Sequence, residues 1–214
     1  TLPVECGDLV SGLHRLLRAR NGGDRRRRAF RFWDAASALK EKYRSRVWMG
    51  FSGKEKKISA ASVRDFLERA LARVESGIAA ARDRKTGLYH TYFRYEIARW
   101  KPGPVVDGHP TFTPLAVRQI RLPLFLEGQV HALRLEKNSR KAAELVRAVR
   151  RSSLFDRTLS MYKVNGDVSR EPISIGRTRT FARGWLENES VWLHMEYKYL
   201  LEMLRGGLPQ EFFE

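Results

Sequence analysis

The residues best suited to chemistry crowd one stretch, Gly184–Leu204, which reads GWLENESVWLHMEYKYLLEML. Glu187, Asn188, Glu189, Ser190 and His194 offer lone pairs and protons where a helix should begin, and Trp185 and Trp192 flank them. At about 100° per residue, Trp185, Trp192, Tyr199 and Met203 project along one face, with Leu193, Leu200 and Leu204 beside it. Glu187, Val191, His194, Lys198 and Leu201 project opposite, so the polar set stands off the core stripe. With Asn188 or Ser190 as cap, the helix begins near Val191, and its free N–H groups beside His194 make an anion site. Glu187, just upstream, is placed to bind a sugar hydroxyl or to hold His194 in one tautomer. The plainer alternative leaves Asn188 and Ser190 as caps and Glu187 and His194 in water.

Two further groups of residues have chemical potential. In Leu88–Trp100, LYHTYFRYEIARW, the alternation predicts an aromatic strand with His90, Tyr92, Arg94 and Glu96 on one side. Ordinary packing is the alternative role for its tyrosines. The stretch 101–114 carries four prolines and reads as a long loop that lines a site. Glu127, Gln129 and His131 interrupt an apolar segment; a buried carboxylate is costly unless paired, so Glu127 either lies on a polar face or is held for a purpose. The chain has no glycine-rich phosphate loop, Cys-x-x-Cys, His-x-x-x-His or Gly-x-Ser-x-Gly.

Periodicity supplies the elements that must position these groups. Leu9, Leu13, Leu16 and Leu17 predict an amphipathic helix over Glu5–Arg20, stopped by Asn21-Gly22-Gly23. Asp24 then caps a helix with Ala29, Phe30, Trp33, Ala36, Leu39 and Tyr43 on its core side. Arg25–Arg28 would lie in its first turn, against the dipole, either for an anionic partner or as a solvated charge run. Val63, Phe66, Leu67, Ala70, Val74 and Ile78 put a core face on a helix over Ser59–Arg82, capped by Ser59 or Ser62. Further helices are predicted from about Pro123 to Leu135 and over Lys141–Arg151. A β-prone stretch, Ser153–Val164, stops at Asn165-Gly166-Asp167, and 165–183 reads as a second long loop.

With 43% hydrophobic residues, the 214-residue chain can build a real core. The lone Cys6 permits no internal disulfide, which with the absence of an apolar span favours a reducing, cytoplasmic setting without membrane insertion. A net charge of +17 raises a basic helical nucleic-acid-binding module as an alternative function. Against it, the arginines are spread singly over helical faces, and Trp185–Glu214 holds six acidic and two basic residues. The first residue is Thr1, and Phe212 and Phe213 stand at an abrupt end, so the chain reads as one partial domain cut from a longer parent.

The run ENESVWLH at Glu187–His194 resembles the ENGG-x-x-x-H segment of the cellobiose phosphorylase group, family 94 of the glycoside hydrolases. LFLEGQV at Leu124–Val130 is similar to an LEGQ segment of cellobiose-phosphorylase-like bacterial proteins, in which an aromatic stretch precedes it as YHTYFRYE does here. The resemblance implies a mainly α fold, an α/α-hairpin assembly forming part of an (α/α)6 barrel with a few short strands. It implies inverting phosphorolysis of β-glucosides: a carboxylic acid protonates the glycosidic oxygen while phosphate attacks the anomeric carbon. Phosphate is then a co-substrate with no further cofactor and no metal, and the partners are an oligosaccharide and the remainder of the parent chain. By the same resemblance His194 stands on the phosphate side and Glu187 near the sugar, with Trp185, Asn188, Tyr92, Arg94, Glu96, Glu127 and Gln129 completing the substrate-binding set. Glu189 and Ser190 stand where the family has glycines, and an added carboxylate repels phosphate unless neutralised. Hydrolysis by the same fold is therefore the alternative. The general acid of the family has no counterpart motif in this chain.

Overall fold

The computed structural model describes residues 1–19 and 25–214. These form two compact units, 1–77 with 96–118 and 78–95 with 119–214, where the sequence reads as one partial domain. No helix among the described residues is long and apolar enough to cross a membrane.

In the first unit, strand β1 (Leu2–Pro3) leads into helix α1 (Val4–Arg18), followed by α2 (Arg25–Val47), β2 (Glu55–Lys56) and most of α3 (Ala60–Ala81). The glycine stop and the Asp24 cap expected between α1 and α2 lie outside the described residues, as do the side chains of Arg25, Arg26 and Arg27. α1 packs on α2 through Gly12, where a Cβ would stand 2.9 Å from a Leu39 methyl, so a larger residue would have to push that side chain aside. β1 and β2 pair antiparallel, Leu2 opposite Lys56. Asp8 on α1 binds Arg46 of α2 and Lys56 of β2, each at 2.8 Å, and Asp65 on α3 binds Arg69 at 2.9 Å and His14 of α1 at 2.6 Å. The Arg46 and then the Lys56 hydrogen bonds hold the Asp8 carboxyl down to about 2, and those from Arg69 and His14 do the same for Asp65. Because folding depresses both, their stabilisation is present above the ordinary value of 3.8 and is lost as pH falls through about 2. An acid titration followed by far-UV circular dichroism should lose helix in that window, and Asp8→Asn should flatten the loss. Coincident titrations of variant and wild type would refute this role of Asp8.

The α3 stripe departs from expectation in part. Leu67, Val74 and Ile78 are exposed, Val63, Phe66 and Ala70 are half-buried, and no residue of this helix is fully buried. Ser59 does cap its start, its Oγ accepting from Ser62 N at 3.2 Å.

Two long strands, β3 (Phe93–Val106) and β4 (His109–Arg121), form a two-stranded antiparallel ribbon that occupies the predicted loop 101–114. Its turn is Asp107-Gly108, with φ of 50° and 76°, the left-handed pair that a two-residue hairpin requires. In a ribbon both strands are edges, so Pro102, Pro104, Pro110 and Pro114 cost it less than they would a central strand.

The second unit holds α4 (Leu126–Leu135), α5 (Ser139–Arg150), the short hairpin β5 (Phe155–Asp156) with β6 (Met161–Tyr162), α6 (Leu193–Arg205) and α7 (Pro209–Phe213). Two 3₁₀ turns, Ile173–Ile175 and Arg177–Thr180, interrupt the polar stretch before α6. Asn138 caps α5 by accepting from Lys141 N at 3.1 Å. The core joins Leu126, Val130 and Leu133 of α4 to Val146 and Val149 of α5 and Tyr199 and Met203 of α6, with Leu88, Leu154 and Tyr162 between them. Tyr199 is fully buried and its hydroxyl has no hydrogen-bond partner among the described residues, while burial pushes its phenol well above the ordinary range. Tyr199→Phe should therefore stabilise the protein by about 1 kcal/mol in urea denaturation, since an unmade buried hydrogen bond costs more than the lost oxygen contributes. A loss of stability would show that the hydroxyl is satisfied in solution.

The expected α/α-hairpin assembly and partial (α/α)6 barrel do not form. The described residues are 50% helical but 21% strand, and the strand content separates helices that a barrel would pair. α3 reaches α4 only through the whole β3–β4 ribbon, whereas helical hairpins need short connections. α4 also starts three residues after Pro123, with Phe125 as its N-cap.

Candidate functional site

The candidate site is assembled around Lys163-Val164-Asn165-Gly166, an extended segment following β6. On one side Leu126 N donates to Val164 O at 2.9 Å and Gly166 N to Leu124 O at 2.8 Å, with Phe125 bridged to Asn165. On the other, Val164 N donates to Ser190 O at 2.8 Å and Lys163 is bridged to Val191. One segment thus ties the LEGQ motif to the ENES motif, and Asn165 is the knot. Its side chain is fully buried, donating to Glu187 O at 2.6 Å and accepting from Glu189 N at 2.8 Å.

Each residue of LEGQ has a use against the segment Tyr89–Tyr92. Leu126 is core. Glu127 accepts from the Tyr92 hydroxyl at 2.6 Å, and His131, one helical turn on, stands 3.9 Å from its other oxygen. Gly128 N donates to Thr91 Oγ1 at 3.1 Å, and a Cβ here would lie 2.4 Å from that oxygen. Gln129, fully buried, accepts from Tyr89 N at 3.1 Å and donates to Tyr89 O at 2.6 Å and Phe125 O at 3.2 Å, imitating a strand partner. The hydrogen bond to Glu127, then burial, then the carboxylate charge push the Tyr92 phenol up to about 12, so Tyr92 stays a proton donor. Glu127 therefore has a purpose, as the acceptor in a half-exposed Tyr–Glu–His group.

The ENES motif forms a tight turn. Asn188 N donates to Trp185 O at 3.2 Å across Leu186 and Glu187, and Leu186 at φ 46° and Glu189 at φ 58° both take the left-handed conformation. For a residue with a Cβ this costs about 1–2 kcal/mol, strain of the kind that collects at functional sites. The Glu187 carbonyl is pinned by Asn165 and by Thr178 Oγ1 at 2.8 Å. Its carboxylate has Arg177 3.9 Å from Oε1, while Oε2 is buried without a hydrogen-bond partner among the described residues. Asn188 is a fully buried hub, accepting from Val168 N at 3.2 Å and donating to Ser169 Oγ at 3.0 Å and Phe181 O at 2.8 Å.

Several expectations need correction here. Neither Asn188 nor Ser190 caps α6: the helix begins at Leu193 with Trp192 at its N-cap position, and the Ser190 hydroxyl donates to Leu186 O. Trp185 stands outside the helix, 58% exposed, its ring edge-on to Phe181. Among the described residues the ion partner of Glu187 is Arg177; the exposed His194 ring lies 5.3 Å from that of Trp192. Arg94 is joined to Glu171 at 2.9 Å. Glu96 belongs to the first unit, where it pairs with Arg118. The structure thus unites Tyr92 with Glu127, uses Gln129 and Asn188 to hold backbone, and gives Glu187 and His194 different neighbours.

Sequence reasoning missed Lys163, Asn165, Arg177 and Arg183. The Asn165-Gly166-Asp167 run was legible only as a turn, because the partners of Asn165 lie more than twenty residues away. No protein family matches the chain, and no curated protein matches it.

Proposed function

We propose that the chain is part of an enzyme that cleaves β-glucosides by phosphorolysis, with inorganic phosphate as co-substrate. It would act in the cytoplasm on an oligosaccharide, together with the remainder of a longer parent chain. The observation that carries this reading is Glu187, set in a strained turn, pinned by two hydrogen bonds to its carbonyl, with one carboxylate oxygen left without a donor among the described residues. With its backbone fixed and one carboxylate oxygen unsatisfied, Glu187 suits a sugar hydroxyl, because the desolvation cost of that oxygen is already met before the ligand arrives. The exposed Trp185 ring offers a face for a pyranose, and the Tyr92–Glu127–His131 group supplies a second donor and acceptor set. His194 keeps the phosphate-side role implied by the resemblance.

A second reading, hydrolysis, comes from Glu189, which stands where the resembled family has a glycine; Lys163 and Arg183 each take one of its oxygens, so its charge is offset and phosphorolysis stays the first reading. Phosphate uptake or release with a panel of β-linked glucosides, using the parent chain, separates the two. Glu187→Gln keeps the pinned carbonyl but weakens the acceptor, and should lower kcat/KM by about 10–100-fold. Absence of turnover of any glycoside by the parent would end both readings.

A further inference from the structure

Glu189 is held in an unusual way. Its Oε1 takes the Lys163 ammonium at 2.7 Å and its Oε2 the Arg183 guanidinium, so each carboxylate oxygen has its own cation. The Glu189 side chain is only 9% exposed and Lys163 14%, whereas Arg183 is 67% exposed and faces water. Burial, the largest influence, raises the Glu189 carboxyl, but the hydrogen bonds from Arg183 and Lys163 outweigh it and leave the group below its ordinary range. The backbone of Lys163 is placed without Glu189: its N donates to Leu154 O at 2.7 Å and the residue is bridged to Val191. The carboxylate is delivered by a residue at φ 58°, a conformation that glycine adopts freely and glutamate only at a cost.

We propose that Lys163 and Arg183 form a binding site for a small oxyanion, inorganic phosphate, which the chain keeps filled with the carboxylate of its own Glu189. Two cations converging from separate segments on one pair of oxygens make the geometry in which free oxyanions are bound. The internal carboxylate then competes with phosphate and lowers its apparent affinity by the fraction of time the site is open. The charges of Asp156 near Lys163 and Asp167 near Arg183 weaken the site further, and Asp167 is shared with Arg170. This deepens the proposed phosphorolysis and rests on that reading for the role of the anion, but not for its binding.

The test is a calorimetric titration with inorganic phosphate at constant ionic strength, in the absence of glycoside. Glu189→Gly removes the occupant at a backbone position glycine prefers, and should tighten phosphate binding by about tenfold or more. The gain should vanish when Lys163→Met is added. Equal phosphate affinity in Glu189→Gly with and without Lys163→Met would overturn the proposal. If circular dichroism shows that Glu189→Gly has not folded, Glu189→Gln, which keeps the volume and removes the charge, is compared with Glu189→Gln plus Lys163→Met. A Lys163-dependent gain supports the site and its absence overturns it. Because no sugar is present, failure here leaves glycoside turnover standing, and failure of turnover leaves this site standing.

Discussion

Asn188→Ala is expected to destabilise the protein by about 3–5 kcal/mol, a large part of the stability of an ordinary domain. Asn188 is fully buried and uses both ends of its amide: the oxygen accepts from Val168 N, and the nitrogen donates to Ser169 Oγ and Phe181 O. Truncation leaves those groups without partners, and each buried orphan costs about 1–3 kcal/mol. The loss is compounded by what the hub supports. Residues 165–183 contain no α-helix or strand, so the fixed position of Val168, Ser169 and Phe181 depends on such side-chain bonds. Urea denaturation followed by circular dichroism measures the change. A shift below about 1 kcal/mol would show that water replaces the amide and that the loop is not held by it.

Gln129→Leu should cost about 2–4 kcal/mol although leucine is of similar size and suits the core better. The glutamine amide satisfies both backbone groups of Tyr89 from the side of α4, and Leu88 beside it is core. Leucine would leave the Tyr89 N–H and C=O facing an apolar side chain. The same change should loosen Tyr92, three residues on, whose hydroxyl binds Glu127. Tyr92→Phe, which removes only the Glu127 bond from a half-exposed pair, should cost far less; an equal cost in the two variants would mean that the phenol and not the Tyr89 backbone holds the segment. The comparison is made by the same denaturation.

Helical periodicity was the most legible property of this chain. The spacing of Leu9 and Leu13, of Val63 and Phe66, and of Val146 and Val149 each places a helix that forms within a few residues of its expected ends. This works because neighbours three and four apart are set by the backbone itself. The same patterns carry no instruction about what a face meets. Leu67, Val74 and Ile78 belong to as good a stripe as any in the chain, yet they are exposed, whereas Tyr199 and Met203 are fully buried. The ribbon was legible in part: the alternation in Leu88–Trp100 marks a strand, but the four prolines of 101–114 argue for a loop, and only pairing with a second edge strand resolves the conflict.

For the candidate site, residue types and local order in ENES and LEGQ picked out Glu187 and Glu127, and the aromatic stretch before LEGQ supplied Tyr92. Their roles came from elsewhere. Glu127 is paired across 35 positions with Tyr92, Asn165 across 22 with Glu187, and Lys163 across 26 with Glu189. Hydrogen bonds at such separations follow no periodicity, since they depend on where distant segments come to rest once the core has closed. Composition and local pattern therefore settled which helices exist and which polar residues deserve suspicion. It was long-range packing that made Asn188 a structural hub, gave Glu189 two cations, and left Glu187 with an oxygen that none of the described residues satisfies.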